Sequence, residues 1–291
     1  MPLARAPAAR RRLRPDGRRH GVLENNLTRK GVWATDGGRG ALAGRRAPRR
    51  DVFLVETDDV VGHLVMESSL GQLTVHEMET ASWILAKWLE RQTPEDPTVE
   101  FTLAELARDF GVRWGGSRAR FTKAALRRLD RVRFTAEVWS HAQRALVTEH
   151  FGIFDRVRIV ERRARPEGAT RGPVPVRVRL NEFIHQQLQA GQYRRYAWRV
   201  LRGSLRTPLA KRLYVFLDGQ RGQATPAGAR YEHAVDAPLL ASLGVRDGNL
   251  PRVRASLRRA CGEIAAAEGR YARCEVREGV QGWVLSVLRR A

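Results

Sequence analysis

The strongest constraint on the fold is a pattern that this chain states twice: a short capped helix, a glycine, a few polar residues, then a longer helix with arginines along one side. The first copy is TLAELARDFGVRWGGSRARFTKAALRRLDRVR, residues 102–133. Thr102 and Glu105 have capping-box spacing, in which each side chain satisfies a free backbone N–H at a helix start. Leu103, Leu106, Ala107 and Phe110 supply one apolar face, and Gly111 is suited to end the helix at positive φ. Ser117 is placed to cap a second helix whose buried positions are Phe121, Ala125, Leu129 and Val132. At about 100° per residue, Arg120, Lys123, Arg127 and Arg131 fall on the opposite side. The pattern reads as a helix-turn-helix with a basic outer stripe.

The second copy begins at Asp236 as DAPLLASLGVRDGNLPRVRASLRRAC. Leu243-Gly244-Val245-Arg246 echoes Phe110-Gly111-Val112-Arg113, and Ala255-Ser256-Leu257-Arg258-Arg259 echoes Ala124-Ala125-Leu126-Arg127-Arg128. Here Val253, Leu257, Ala260, Cys261 and Ile264 form the buried side and Arg252, Arg258 and Arg259 face outward. The candidate contact set for nucleic acid is therefore Arg113, Gly116, Ser117, Arg120, Lys123, Arg127 and Arg131 in the first copy. Arg246, Arg252, Arg258 and Arg259 complete it in the second.

The segments around each copy agree. Thr74 and Glu77 form another capping box ahead of a helix predicted over 74–92, with Val75, Met78, Ala81, Leu85, Trp88 and Leu89 at helical spacing. Thr207 caps and Pro208 starts the matching helix, whose buried face is Leu209, Leu213, Phe216 and Leu217. Short strands, Val99–Phe101 and Tyr231–Val235, lead into the two helix-turn-helix segments. After the first, the period falls to two through FTAEVWSH, ALVTEHF and RVRIVE, giving a β-hairpin wing. An Arg-rich loop, 162–172, connects it to the strand VPVRVRL (174–180), and a helix follows from Asn181. ARCEV and WVLSVL form the second wing. Each half thus reads helix, strand, helix, helix, hairpin. The expected fold class is α+β: two tandem winged-helix domains, 51–192 and 193–291, behind a disordered basic tail, 1–50.

Charge sets the class of partner. Fifty-three Lys plus Arg against 31 Asp plus Glu leave a formal net charge of +22 on 291 residues. Residues 1–50 hold 14 basic and 3 acidic side chains, 14 − 3 = +11, in Pro- and Gly-rich runs without periodicity. Such an excess calls for a polyanion, and nucleic acid is the commonest in a cell. No apolar run approaches the ~18 residues of a membrane span, and no apolar leader opens the chain, so a reduced, cytoplasmic protein is expected. The two cysteines, Cys261 and Cys274, lie in no CxxC or Cys/His cluster, which speaks against structural zinc.

Catalytic chemistry finds no support in the motifs. No GxxxxGK[ST] loop is present to cradle phosphates, and no two histidines stand close enough for a nickase metal pair. His141-Ala-Gln-Arg144, with Tyr193 and Tyr196 downstream, matches only a fragment of the tyrosine recombinase pattern and falls in a predicted wing. Trp83 and Trp88 suit the core, Trp114 and Trp139 are less constrained, and Arg177 and Arg179 read as a solvated strand face. The expectation is a non-enzymatic protein without cofactor or metal.

Four segments resemble the replication initiator protein A family of plasmids. They are MESSLGQLTVHEMETASWILAKWLERQ (66–92), FTLAELARDFGVRWGGSRARFTKAALRRL (101–129), VPVRVRLNEFIHQQL (174–188) and YAWRVLRGSLRTPLAKRLYVFLDGQRG (196–222). The resemblance implies paired winged-helix domains that bind repeated double-stranded sites at a plasmid origin, help open it and recruit the host initiator and helicase machinery. By position it assigns Gly115, Gly116, Ser117, Arg120, Lys123 and Arg127 to the DNA-facing helix and the turn before it. Repression of the protein's own promoter and homodimer formation fit the same reading. A winged-helix transcriptional regulator, an RNA-binding protein and, more remotely, a nickase or recombinase are the alternatives.

Overall fold

The computed structural model describes residues 20–24, 27–28, 32–35, 53–59, 62–70, 73–91, 95–113, 115–140, 145–160, 174–219, 230–267, 271–280 and 282–289. Helix α1 (Val75–Leu89) starts at the expected box: Thr74 and Glu77 cap one another. Its apolar side carries Met78, Trp83, Ile84, Leu85 and Trp88, all fully buried. The other side is buried as well, taking Glu77, Glu79, Thr80 and Ser82 inside. A helix covered all round by protein is the centre of a core rather than its lid.

The first repeat unit is built on α1. Strand β4 (Thr98–Thr102) leads into α2 (Leu103–Asp109), whose capping box joins Thr102 and Glu105. Gly111 then turns the chain at φ 62°, and α3 (Gly116–Arg131) follows. Two later strands, β7 (Phe154–Ile159) and β8 (Pro175–Leu180), complete a three-stranded antiparallel sheet in the order β4-β8-β7. The second unit repeats this order: α5 (Pro208–Gly219), β10 (Arg230–Ala234), α6 (Ala237–Ser242), α7 (Leu250–Ala267), then β11 (Tyr271–Gly279) and β12 (Gly282–Arg289). Its sheet runs β10-β12-β11, so in both units the strand before the helix pair bonds to the last strand. Equal sheet order is independent support for an internal repeat.

Two strand pairings differ from the sequence expectation. The residues FTAEVWS form β5 (Val132–Ser140), which pairs with β6 (Ala145–Phe151) but belongs to a different sheet. That sheet, β2-β3-β5-β6, begins with the hairpin of β2 (Phe53–Asp59) and β3 (Gly62–Ser68). The hairpin directly after α3 is therefore an insertion, and the strands paired beside β4 are RVRI and VPVRVRL. Helix α4 (Glu182–Gln189), capped by Asn181, and strand β9 (Tyr193–Ala197) lead through a π-helical turn, Val200–Ser204, into α5.

The basic tail is the larger correction. Strand β1 (His20–Glu24) pairs antiparallel with β9, setting His20 opposite Ala197 and Glu24 opposite Tyr193. Val22, Leu23, Leu27, Val32 and Trp33 are buried in the same core as α1 and α5. Trp33 Nε1 donates to the Leu27 carbonyl at 2.9 Å, and Ala34 N donates to the Leu73 carbonyl at 2.8 Å beside the α1 cap. Thr35 N and Oγ1 both reach the carbonyl of Gly244 at 3.2 Å. Arg212 of α5, fully buried, donates to the carbonyls of Thr28 and Ser242 at 2.5 and 2.6 Å. Residues 20–35 therefore include a seam joining the two units. The remaining residues of the predicted tail lie outside the described ones.

The seam makes Gly244 irreplaceable. It holds φ +66°, and a Cβ there would stand 1.9 Å from the Trp33 carbonyl oxygen. Gly191 has φ +73° with nothing within 4 Å of its would-be Cβ. Gly191→Ala is expected to cost about 1–2 kcal/mol from left-handed backbone alone. Gly244→Ala adds a backbone clash and is expected to cost clearly more. Urea titrations of the two variants check this; equal losses would mean that the seam does not press on the turn.

Candidate nucleic-acid interface

Helix α3 lays Thr122, Ala125, Leu126 and Leu129 into the core. Arg120, Arg127 and Arg131 are exposed on it, as are Arg113, Gly116 and Ser117 at its approach. Lys123 is half-buried. Ser117 is not the cap. The helix begins one residue earlier, and Gly115 stands at the N-cap without a side-chain hydrogen bond. Unsatisfied N–H groups at this end remain available for solvent or an anion.

Phe121 departs from its expected place. It is 46% exposed and stacks on the imidazole of His76, ring centres 4.3 Å apart, at the start of α1. The arc buried by α1 is centred on Thr122 and Leu126, one position on from the predicted stripe, which rotates Phe121 to the rim. Arg128 is also turned inward. Its Nε donates to Glu77 Oε1 at 2.9 Å and its Nη2 bonds the same oxygen.

In the second unit Val253, Leu257, Ala260, Cys261 and Ile264 are buried as the sequence predicts. Arg246, Arg252, Arg258 and Arg259 are exposed. Arg252 Nε lies 3.6 Å from Asp247, and Arg254 and Arg258 sit 4.8 and 4.7 Å from the ring centre of Trp283 on β12. Cation–π contact of this kind fixes arginine stems without neutralising their charge. Both cysteines are buried free thiols. Burial and the neighbouring Cys261 thiol push that of Cys274 upward, with the Cys261 contact the larger cause.

The turns that precede both basic helices are held from elsewhere in the chain. Trp83 Nε1 donates to Asp109 Oδ2 at 2.9 Å, Trp198 Nε1 to the Asp109 carbonyl at 3.0 Å, and Arg202 Nη2 to the Phe110 carbonyl at 3.0 Å. The corresponding turn of the second unit, at Gly244, rests on Trp33 and Thr35. Tyr196 is fully buried on β9, and burial first, then the Asp218 carboxylate, raises its phenol well above the ordinary range. A sealed tyrosine of this kind cannot reach a DNA strand. Trp114, His141, Arg144 and the loop 162–172 lie outside the described residues. Among the described residues no helix is long and apolar enough to cross a membrane, and no group of three His, Cys, Asp or Glu could hold a metal ion.

Sequence reasoning missed two sets of basic residues at this surface. Arg156 and Arg158 of β7 are exposed beside the end of α3. Their signal was the alternation RVRI, mirrored by VRVR in β8. Arg118, which leans over Phe121 at 5.9 Å, falls between the two predicted faces.

The mixed α and β architecture is shared with solved proteins. A structure of selenomethionine derivatives of domain 2 and domain 3 of RctB aligns over 85% of this chain and 94% of its own, at 12% identity and a TM-score of 0.55. Another structure of RctB domains 2–3 aligns over 91% and 96%, at 12% identity and a TM-score of 0.53. At this identity the likeness is one of fold. No protein-family model and no curated protein matches the chain.

His76 gives the interface a measurable signature. Burial lowers its pKa to about 4, against the pull of Glu77 and Glu79 and with the push of Arg202 and Arg118. The unfolded imidazole titrates near 6.5, so between pH 6.5 and 4 the unfolded chain takes up a proton that the folded chain refuses. Stability is then complete above 6.5 and falls as the pH drops through this window, by up to about 3 kcal/mol. His76→Phe keeps the ring stack and is expected to flatten that part of the acid slope in urea titrations. An unaltered slope would assign the proton uptake to another group.

Proposed function

We propose that this protein is a non-enzymatic replication initiator of the plasmid type, binding repeated double-stranded sites at an origin through two winged-helix units. In this reading α3 and α7 are the recognition helices, and the strand pairs β7–β8 and β11–β12 are the wings. Arginines on α3 and α7 hold phosphates or read guanine edges bidentately. Origin opening, recruitment of the host initiator and helicase, and repression of the protein's own promoter belong to the same proposal. The observation that carries it is the repetition: two units of equal sheet order each bury the apolar side of their longest helix-pair member and expose arginines on its other side. The shared architecture with domains 2 and 3 of RctB, a replication initiator, supports it at the level of fold.

Two charge-neutralised proteins test the reading. One carries Arg120→Gln, Lys123→Gln and Arg127→Gln together, the other Arg252→Gln, Arg258→Gln and Arg259→Gln. Each is expected to weaken binding to the DNA flanking the protein's own reading frame by tenfold or more at ~0.15 M salt. Each also reduces the slope of log K against log salt by about 0.9 for every phosphate contact removed. Footprints should lose protection over one of two adjacent segments, a different one for each variant. If either triple substitution leaves affinity and footprint as they are, two-helix recognition is wrong.

A further inference from the structure

Cys261 and Cys274 stand on different elements and meet inside the second unit. Cys261 lies on the buried side of α7, between Leu257 and Ile264. It is six residues short of the helix end at Ala267, about 9 Å along the axis at about 1.5 Å per residue. The chain then reverses, and β11 runs back against α7 from Tyr271. Cys274 comes two to three strand steps later, about 7–10 Å at about 3.3 Å per step. The two side chains are therefore level with one another.

A bulge completes the meeting. Tyr271 faces Arg289 across the ladder and Arg273 faces Leu288, so Ala272 is an extra residue. Such an insertion shifts the alternation of everything after it. Regular alternation from buried Tyr271 would have turned Arg273 and Glu275 inward; instead Cys274 and Val276 are buried. Aimed at α7, the Cys274 thiol is in hydrogen-bond contact with that of Cys261. Both are free thiols, Cys274 8% and Cys261 1% exposed. The repeat gives the pair a counterpart. In the alignment that sets Ala255 on Ala124, Cys261 falls on Asp130, and β11 holds the outer place that β7 holds in the first sheet. Asp130 Oδ1 accepts from the Val157 N–H of β7 at 3.0 Å. Both units thus join the basic helix to the outer strand at the same position, the first by a hydrogen bond to backbone and the second by two thiols.

We propose that Cys261 and Cys274 are an oxidation site, joined by a hydroperoxide into an intrachain disulfide that fastens α7 to β11. With hydrogen peroxide, one thiolate attacks an oxygen, the O–O bond breaks, and a sulfenic acid forms as the first water leaves. The second sulfur attacks that sulfenic sulfur, the S–O bond breaks, and the departing hydroxide takes the second thiol's proton as the other water. Two thiols lose two electrons and the peroxide gains them. Thiolate is the attacking species, and two buried, mutually hydrogen-bonded thiols keep it scarce. The tie therefore forms under sustained oxidant and stays open where thiols are kept reduced. These are the chain's two cysteines, so the first unit has no equivalent, and the inference stands apart from the duplex-binding reading of α7.

The full reduced chain, kept folded in millimolar hydrogen peroxide for several hours, provides the test. Remaining thiols are then alkylated in urea and the protein is digested for mass spectrometry. The expected product is a pair of peptides linked through Cys261 and Cys274, with neither cysteine alkylated, and dithiothreitol should return both thiols. A disulfide restricts the unfolded chain, so the oxidised protein is expected to unfold about 1 M higher in urea than the reduced protein, and dithiothreitol should abolish the difference. Cys274→Ala, oxidised in parallel, should show neither the link nor the reversible shift. Should that variant fail to fold, the wild-type peptides and titrations decide the matter without it. Two alkylated cysteines after prolonged oxidant overturn the inference. So do sulfinic acid in place of the link, a disulfide between two chains, or an oxidised protein no more stable than the reduced one.

Discussion

Two carboxylates inside the molecule decide how everything around them is arranged. Glu77 and Glu79 lie on α1 with 0% and 2% of their surface exposed. An ionised carboxylate left alone there would cost several kcal/mol. Neither is alone. Arg128 of α3 pairs with Glu77, and Arg202 and Lys211 from the second half both pair with Glu79 at 2.5 Å. Apolar burial has no direction, and a helix covered by leucine and tryptophan could be approached at many angles. Charges of opposite sign on three different elements admit one. Removing Arg128 leaves Glu77 an uncompensated ion, a loss on the order of 3–5 kcal/mol, and Glu79 is stranded in the same way when Arg202 and Lys211 are both removed, so the docking of α3 and of the second unit onto α1 is enforced by the same short stretch of helix.

Much of this was legible in the sequence, and the parts that were not share a cause. The capping boxes at Thr74 and Thr102, the glycines at 111 and 244, and the buried stripe of α7 are local signals, each set by residues within a turn or two. They appear where periodicity puts them. The seam at 20–35 is a long-range fact. HGVLE becomes a strand because Tyr193–Ala197 lies beside it, and Trp33 is buried because α1 and the Gly244 turn close over it. A window of fifty residues with a net charge of +11 conceals both. Strand pairing was hidden for a similar reason: four segments of period two follow α3, and nothing local says that the first two join β3 while the next two join β4.

The arginines show the same division. Composition makes them look interchangeable, and a helical wheel sorts them only by face. Packing sorts them by partner. Arg128 and Arg202 are consumed by buried acids and Arg212 by carbonyls of two distant segments, while Arg254 and Arg258 rest on the ring of Trp283 and keep their charge. What remains outward on α3 and α7 is the subset with the least to do for the fold. Phe121 belongs with them. The wheel assigned it to the core, yet Glu77 draws Arg128 inward from the neighbouring column and turns the helix so that Phe121 finds His76 at the rim.

Fixing both turns from outside their own unit has a consequence for recognition. The turn before α3 is gripped by Trp198 and Arg202, and the turn before α7 by Trp33 and Thr35. Neither basic helix can shift without disturbing residues that belong to the other half or to the seam. Two modules on a loose tether would lose orientational freedom on meeting two sites at once, and that ordering opposes binding. Here the ordering has already occurred during folding. For the proposed origin-binding role this means that the separation of the two helices is a property of the core, and tolerance of altered site spacing must come from bending the duplex. Smooth bending by tens of degrees over a site of two or three turns costs about 1–6 kcal/mol, comparable with the contribution of several phosphate contacts. Spacing would then be discriminated as sharply as sequence, by a protein whose selectivity originates in two buried glutamates far from any base.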